Sequence, residues 1–175
     1  MTTDAGSIRR VRVEVRRGDP LTFDGDGLVV PTISDGSMAE GLAARARTTG
    51  GRSVEDEARQ SAPIAVGAAV VTAAGALPVK RVIHVPVSEQ PAVKIPVENI
   101  RRATRAGLLA ANHFQMERLA IPGFGHGELG VPCDEAARAI IDEVRAFRGQ
   151  WPMYVLLVDI AEEMVEAFLT EIRDH

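Results

Sequence analysis

The chain has 175 residues, 46% of them hydrophobic and 25% charged, which suits one soluble-type domain able to bury its own core without disulfide or metal staples. The formal net charge of -4 argues against a protein that grips duplex nucleic acid by its phosphates, and 4% aromatics argue against a base-stacking platform. No apolar run approaches the roughly 20 residues of a membrane span, Met1 to Ser7 is too polar for a signal peptide, and Cys133 has no second cysteine to pair with; the expected setting is the cytoplasm, with no membrane partner.

The elements follow in chain order. Residues 1–9 read as a flexible N-terminal tail and 10–175 as a single domain. Arg9, Arg10, Arg12, Arg16 and Arg17 form a basic cluster, read as solvated strand edge and tail. Val11, Val13 and Val15 alternate with charged residues, which predicts a half-buried strand, broken by Gly18, Asp19 and Pro20. Leu28 to Val30 predicts a buried strand stopped by Pro31. Ser37 to Arg47 predicts a helix, with Ser37 as N-cap, Glu40 closing a capping box, and Gly50 and Gly51 ending it. Ser53 to Gln60 predicts another short helix.

Strands are expected at Ala68 to Ala73 and Arg81 to Val87, with Pro91 to Pro96 a loop. Val97 to Phe114 predicts a helix whose buried face carries Ile100, Ala103, Gly107, Leu108 and Ala111. Leu119 to Pro122 and Met153 to Val158 read as strands, Cys133 to Phe147 and Ala161 to Ile172 as helices. Alternating strands and helices, with continuously apolar late strands, imply an α/β sheet covered on both faces.

The stretch from Ile121 to Pro132 carries the most information. A strand enters it, a helix leaves it, and Gly123, Gly125, Gly127 and Gly130 lie between. Free amides in such a loop, at the positive end of a helix dipole, make an anion site without a basic side chain. At the carboxyl edge of an open sheet, this is where ligands bind. Gly125, Gly127 and Gly130 also spell GxGxxG, with Asp159 at the end of the following strand. That dinucleotide pattern is weak here, because only one strand and one helix follow it.

The order of motifs along the chain resembles the macro domain family from about Val11 to Ile172. Gly18-Asp19 resembles the Gly-Asp after that family's opening strand. Pro63, Gly67, Thr72, Gly75, Leu77-Pro78 and Val82-Ile83-His84 fall in the order and spacing of its middle segment. Residues 121–132 are similar to its phosphate loop without a gap. Gly125, His126 and Gly127 take the places of its Ser-Thr-Gly, and Gly130 its final glycine.

The resemblance implies a three-layer α/β/α domain with a mixed central sheet, binding ADP-ribose or an ADP-ribosyl group on a macromolecule. It implies that Asp19 accepts from the adenine amino group, and that amides from Gly125 through His126, Gly127, Glu128 and Leu129 to Gly130 hold phosphate. Phe124, Ser34 and Gly36 complete the expected ligand set. No cofactor or metal is expected.

The chain also departs from the family. The run Asn-Ala-Ala-Asn of its active hydrolases aligns with Pro31-Thr32-Ile33-Ser34, and the glycine-rich first loop is reduced to Ser34-Asp35-Gly36-Ser37. Val158 and Asp159 stand where an aromatic often stacks on the ligand. The expectation is therefore binding with weak or no hydrolysis. The alternatives are an ADP-ribosyl or ADP-ribose 1″-phosphate hydrolase, with His126 or Asp35 substituting for the lost groups, and a ligand-free interaction module. Cys133 at a helix N-terminus is a further candidate, since that position lowers a thiol pKa. His84, between apolar strand residues, reads as a core histidine. Asp134 and Glu135 read as first-turn acids.

Overall fold

A computed structural model describes residues 11–174. The expected tail, Arg9 and Arg10 lie outside the described residues. The six strands are β1 (Arg12–Arg17), β2 (Gly27–Ile33), β3 (Val70–Ala73), β4 (Arg81–Ser88), β5 (Arg118–Pro122) and β6 (Tyr154–Asp159). The helices are α1 (Gly41–Gly50), α2 (Arg52–Arg59), α3 (Val97–His113), α4 (Cys133–Ala146) and α5 (Glu162–Arg173).

The sheet runs β1-β6-β5-β2-β4-β3. All neighbours are parallel except β3, which pairs antiparallel with β4. Alternation of side chains separates two cores. Val29, Ile83, Leu119, Ile121 and Leu157 face α3, α4 and α5. Leu28, Val30, Val82, Ala120 and Leu156 face the side covered by α1 and α2. The inner strands are apolar on both faces because both faces are covered. The expected three-layer α/β/α domain with a mixed sheet is the architecture found.

Two local expectations are corrected. Pro31 does not stop β2, which continues to Ile33. Ser34 N–H donates to Ser88 O at 3.2 Å, so the even-numbered donors of β2 face β4. The donor that Pro31 lacks would face β5, and pairing with β5 covers only Gly27 and Leu28. No ladder bond is lost there.

The capping box at Ser37 does not form either. α1 starts at Gly41, and Glu40, at its N-cap, makes no side-chain cap bond. Asp35 instead accepts Ser37 N–H at 2.8 Å, and Glu55 accepts Met38 N–H at 2.7 Å. These carboxylates hold residues 35–40 as an ordered loop. Met38 is fully buried from that loop rather than from a helix turn.

Gly107 lets α3 lie close on the sheet: a Cβ there would stand 3.0 Å from Val29 Cγ2. Gly107→Leu is expected to destabilise by about 1–3 kcal/mol through overpacking. Urea unfolding checks it, with a lower midpoint and unchanged slope.

His84 is fully buried on β4, with Nε2 2.9 Å from Thr72 Oγ1, as a core histidine. Burial pushes its imidazole down from 6.5 to about 4. The folded chain therefore keeps it neutral, while the unfolded chain takes up a proton near pH 6.5. Stability from this group is complete above pH 6.5 and is lost as pH falls toward 4. The loss is about 3 kcal/mol by linkage. Denaturant unfolding across that range checks it, and His84→Gln should flatten the slope.

Candidate functional site

The site originates in strand pairing. β2 stays beside β5 only through Leu28, while β2 pairs with β4 as far as Ile33. Beyond Leu28 the carboxyl ends of β2 and β5 part, and a cleft of about 500 Å³ opens. Its floor includes Pro31, Thr32 and Ile33 from β2. One wall is the loop after β5, with Gly123, Phe124, Gly125, His126 and Leu129. A second wall is Asp35, Ser37 and residues 39–43, leading into α1. The far wall is Val87 and Ser88 with Pro91, Ala92, Val93 and Ile95.

The glycine loop is shaped by its own bonds. Val131 N–H donates to Gly125 O at 2.9 Å and Gly130 N–H to Gly127 O at 3.1 Å. Gly125 has φ 79°, and a Cβ there would sit 2.4 Å from the Ile100 side chain. A Cβ at Gly130 would sit 2.0 Å from Gly125 O. Both positions need glycine. Asp159 fixes the loop entrance: its Oδ2 accepts Gly123 N–H at 3.2 Å and its Oδ1 accepts Ala161 N–H at 2.9 Å. Ile95 N–H donates to Leu129 O at 2.7 Å and ties the far wall to the loop.

Among the described residues, the amides of residues 124, 125, 126, 128 and 129 donate to no protein acceptor. The loop then runs into the N-terminus of α4 at Cys133. Unpaired donors at a helix start favour an anion.

The structure brings Phe124, Gly125, His126 and Leu129 together on the cleft. Phe124 is 4% exposed and also packs into the α3 and α4 core. Gly127 and Glu128 are exposed at the loop tip. Gly130 points its amide back into the loop's own turn. Ser34 and Gly36 sit behind the cleft surface, with Gly36 against the Arg59 backbone at φ 78°. Asp19 lies outside the cleft lining. Its Oδ1 accepts Leu21 N–H at 3.0 Å, capping a 3-10 turn, and its Oδ2 pairs with Arg45 Nη2 at 2.5 Å.

The far wall was missed from sequence, where 91–96 read only as a loop. Three apolar residues in so short a loop, Ala92, Val93 and Ile95, were the available signal. Asp35 lies on the cleft, but its carboxylate is turned onto Ser37. Bonds from the Ser37 side chain and backbone hold its carboxyl below the usual range.

The thiol expectation is corrected. Burial, with Glu163, Asp159 and Asp134 nearby, pushes the Cys133 thiol up rather than down. Desolvation and these three carboxylates outweigh the helix end. Among the described residues no group of three or more His, Cys, Asp or Glu side chains is disposed to hold a metal ion. No helix of the described residues is long and apolar enough to cross a membrane.

The family model for the Macro domain matches residues 29–140. The chain belongs to the macro domain family. An uncharacterised protein of Aquifex aeolicus (strain VF5) is 45% identical over 156 residues, covering 89% of this macro domain and 94% of that protein. Protein mono-ADP-ribosyltransferase PARP14 of Homo sapiens is 26% identical over 170 residues, 91% of this chain but 9% of that protein. The Oceanobacillus iheyensis macrodomain with ADP superposes with a TM-score of 0.82 at 16% identity, over 96% of this chain and 93% of that one. The Trypanosoma brucei macrodomain in complex with ADP-ribose gives 0.82 at 18% identity, over 97% and 72%.

Cys133 of this macro domain is expected to alkylate more slowly than a free cysteine at pH 8, because less of it is thiolate. Iodoacetamide labelling followed by intact mass checks it, with the unfolded chain as the fast reference.

Proposed function

We propose that this macro domain binds ADP-ribose, free or as an ADP-ribosyl group on a macromolecule. The observation that carries the reading is the set of unpaired amides at residues 124–126 and 129, on the lining of a cleft of about 500 Å³. A cleft of this size suits a nucleotide-sized ligand. The wall contributes donors without a fixed positive side chain, which suits a diphosphate that must enter and leave. Macrodomains of the same fold are described with ADP and with ADP-ribose, which supports the choice of anion.

Asp19 is the adenine-end candidate by resemblance. The Arg45 pair orients its carboxylate while leaving lone pairs for an amino donor.

Weak or absent hydrolysis fits the same walls. Residues 31–34 supply no carboxamide to align the distal ribose, and the Asp35 carboxylate is committed to Ser37. His126 is the one imidazole on the cleft among the described residues and is the acid–base candidate if turnover is found. A single cysteine, half-buried and without a partner thiol, fits a reducing, cytoplasmic setting.

Calorimetric titration tests the binding. ADP-ribose is expected to give saturable heat and adenosine none. Leu129→Glu adds a carboxylate at an exposed loop position and should weaken ADP-ribose at least about tenfold without unfolding the protein. No heat at millimolar ADP-ribose would remove the reading. Incubation with an ADP-ribosylated protein is expected to leave the modification in place.

A further inference from the structure

The walls of the cleft are acidic where they meet solvent. Segments 35–43, 88–95 and 123–129 carry Asp35, Glu40, Glu89 and Glu128 against one cation, Lys94. All five side chains belong to exposed residues. Asp35 is turned onto Ser37 and has Arg59 near it. Glu40, Glu89 and Glu128 enter no ion pair among the described residues. Such a rim repels a free diphosphate on its way to the glycine loop. It helps only when positive charge arrives attached to the ligand.

Two apolar side chains stand among these acids. Val93 is 39% exposed and Leu129 45%, and both line the cleft. They flank the bond from Ile95 N–H to Leu129 O, which joins the far wall to the glycine loop. Beneath them the floor calls for an occupant. Thr32 Oγ1 lines the cleft on a residue 5% exposed, with no hydrogen-bond partner among the described residues.

Strand order says which end of an ADP-ribosyl group meets this rim. Asp19 follows β1, the glycine loop follows β5, and the far wall follows β4 at the other side of β2. With adenine toward β1 and the diphosphate on the glycine loop, the terminal ribose runs toward β4. That sugar is the one joined to a carrier, so the carrier leaves the cleft between Val93, Leu129 and the glutamates.

We propose that the far wall and the tip of the glycine loop dock the polypeptide that carries the ADP-ribosyl group, and that this polypeptide is basic beside its modified residue. The assignment rests on the ADP-ribose reading above. Val93 and Leu129 cover the aliphatic stem of a flanking lysine or arginine, and the carboxylates meet its charge. A nucleic-acid carrier brings phosphates to the same carboxylates and is disfavoured.

The test titrates the intact protein with free ADP-ribose and with three conjugates. One is a peptide ADP-ribosylated on a serine set between lysines, one the same peptide with glutamates for the lysines, and one a DNA oligonucleotide ADP-ribosylated on its terminal phosphate. At low salt the lysine peptide is expected to bind about tenfold tighter than free ADP-ribose, and the other two conjugates no tighter than free ADP-ribose. Salt of about 0.5 M should cut the lysine peptide's advantage to about threefold or less. Glu89→Lys, at an exposed position outside the cleft lining, should weaken the lysine peptide about threefold and leave free ADP-ribose within about twofold. Equal affinity for the two peptides, tightest binding of the oligonucleotide, or an undiminished lysine peptide in Glu89→Lys would each overturn the docking, while free ADP-ribose that still binds leaves the ADP-ribose reading standing. Silence toward free ADP-ribose and all three conjugates would remove both.

Discussion

The parting of β2 from β5 is the constraint on which the site depends. Two residue pairs, Gly27 with Leu119 and Leu28 with Ala120, hold these strands together. Past them β2 follows β4 alone, and β5 follows β6 to Pro122. The sheet is thus continuous at one edge and split at the other. Pro31 suits the split, because the donor it lacks would face the gap. The loops after β2, β4 and β5 then converge around the opening rather than covering a closed sheet.

Hydrogen bonding decides what the opening can hold. The glycine loop uses Gly130 and Val131 amides to shape itself and leaves those of 124–126 and 128–129 unpaired. Asp159 anchors the entrance from β6, away from the unpaired row. On the opposite wall, the Asp35 carboxylate stays ionised and is turned onto Ser37. The site offers donors from one side and directs an acceptor away on the other. An anion is favoured by geometry in a chain whose net charge is -4.

The same accounting separates active groups from scenery. His84 reads as a core histidine and is one, with Nε2 on Thr72 and Nδ1 left without a partner among the described residues. Cys133 sits at a helix start, yet desolvation and neighbouring carboxylates raise its thiol. Thr32 stands in the run where the family's asparagines are missing, and its oxygen has no partner among the described residues. Residue type and position in an element mislead wherever partners come from distant strands.

Much was legible from the amino acids in order. Periodicity located every strand and helix to within a few residues, because two-sided burial writes itself as apolar runs and amphipathic faces. The glycine loop was legible too, since only glycine fits φ 79° at Gly125 beneath Ile100. What only the tertiary structure decided was contact across the chain. The start of α1 depended on Glu55 claiming Met38, Asp19 acquired Arg45, and residues 91–95 became a wall through Ile95 and Leu129. Each is a pairing between segments far apart in sequence, and local propensity holds no record of a partner that arrives from another strand.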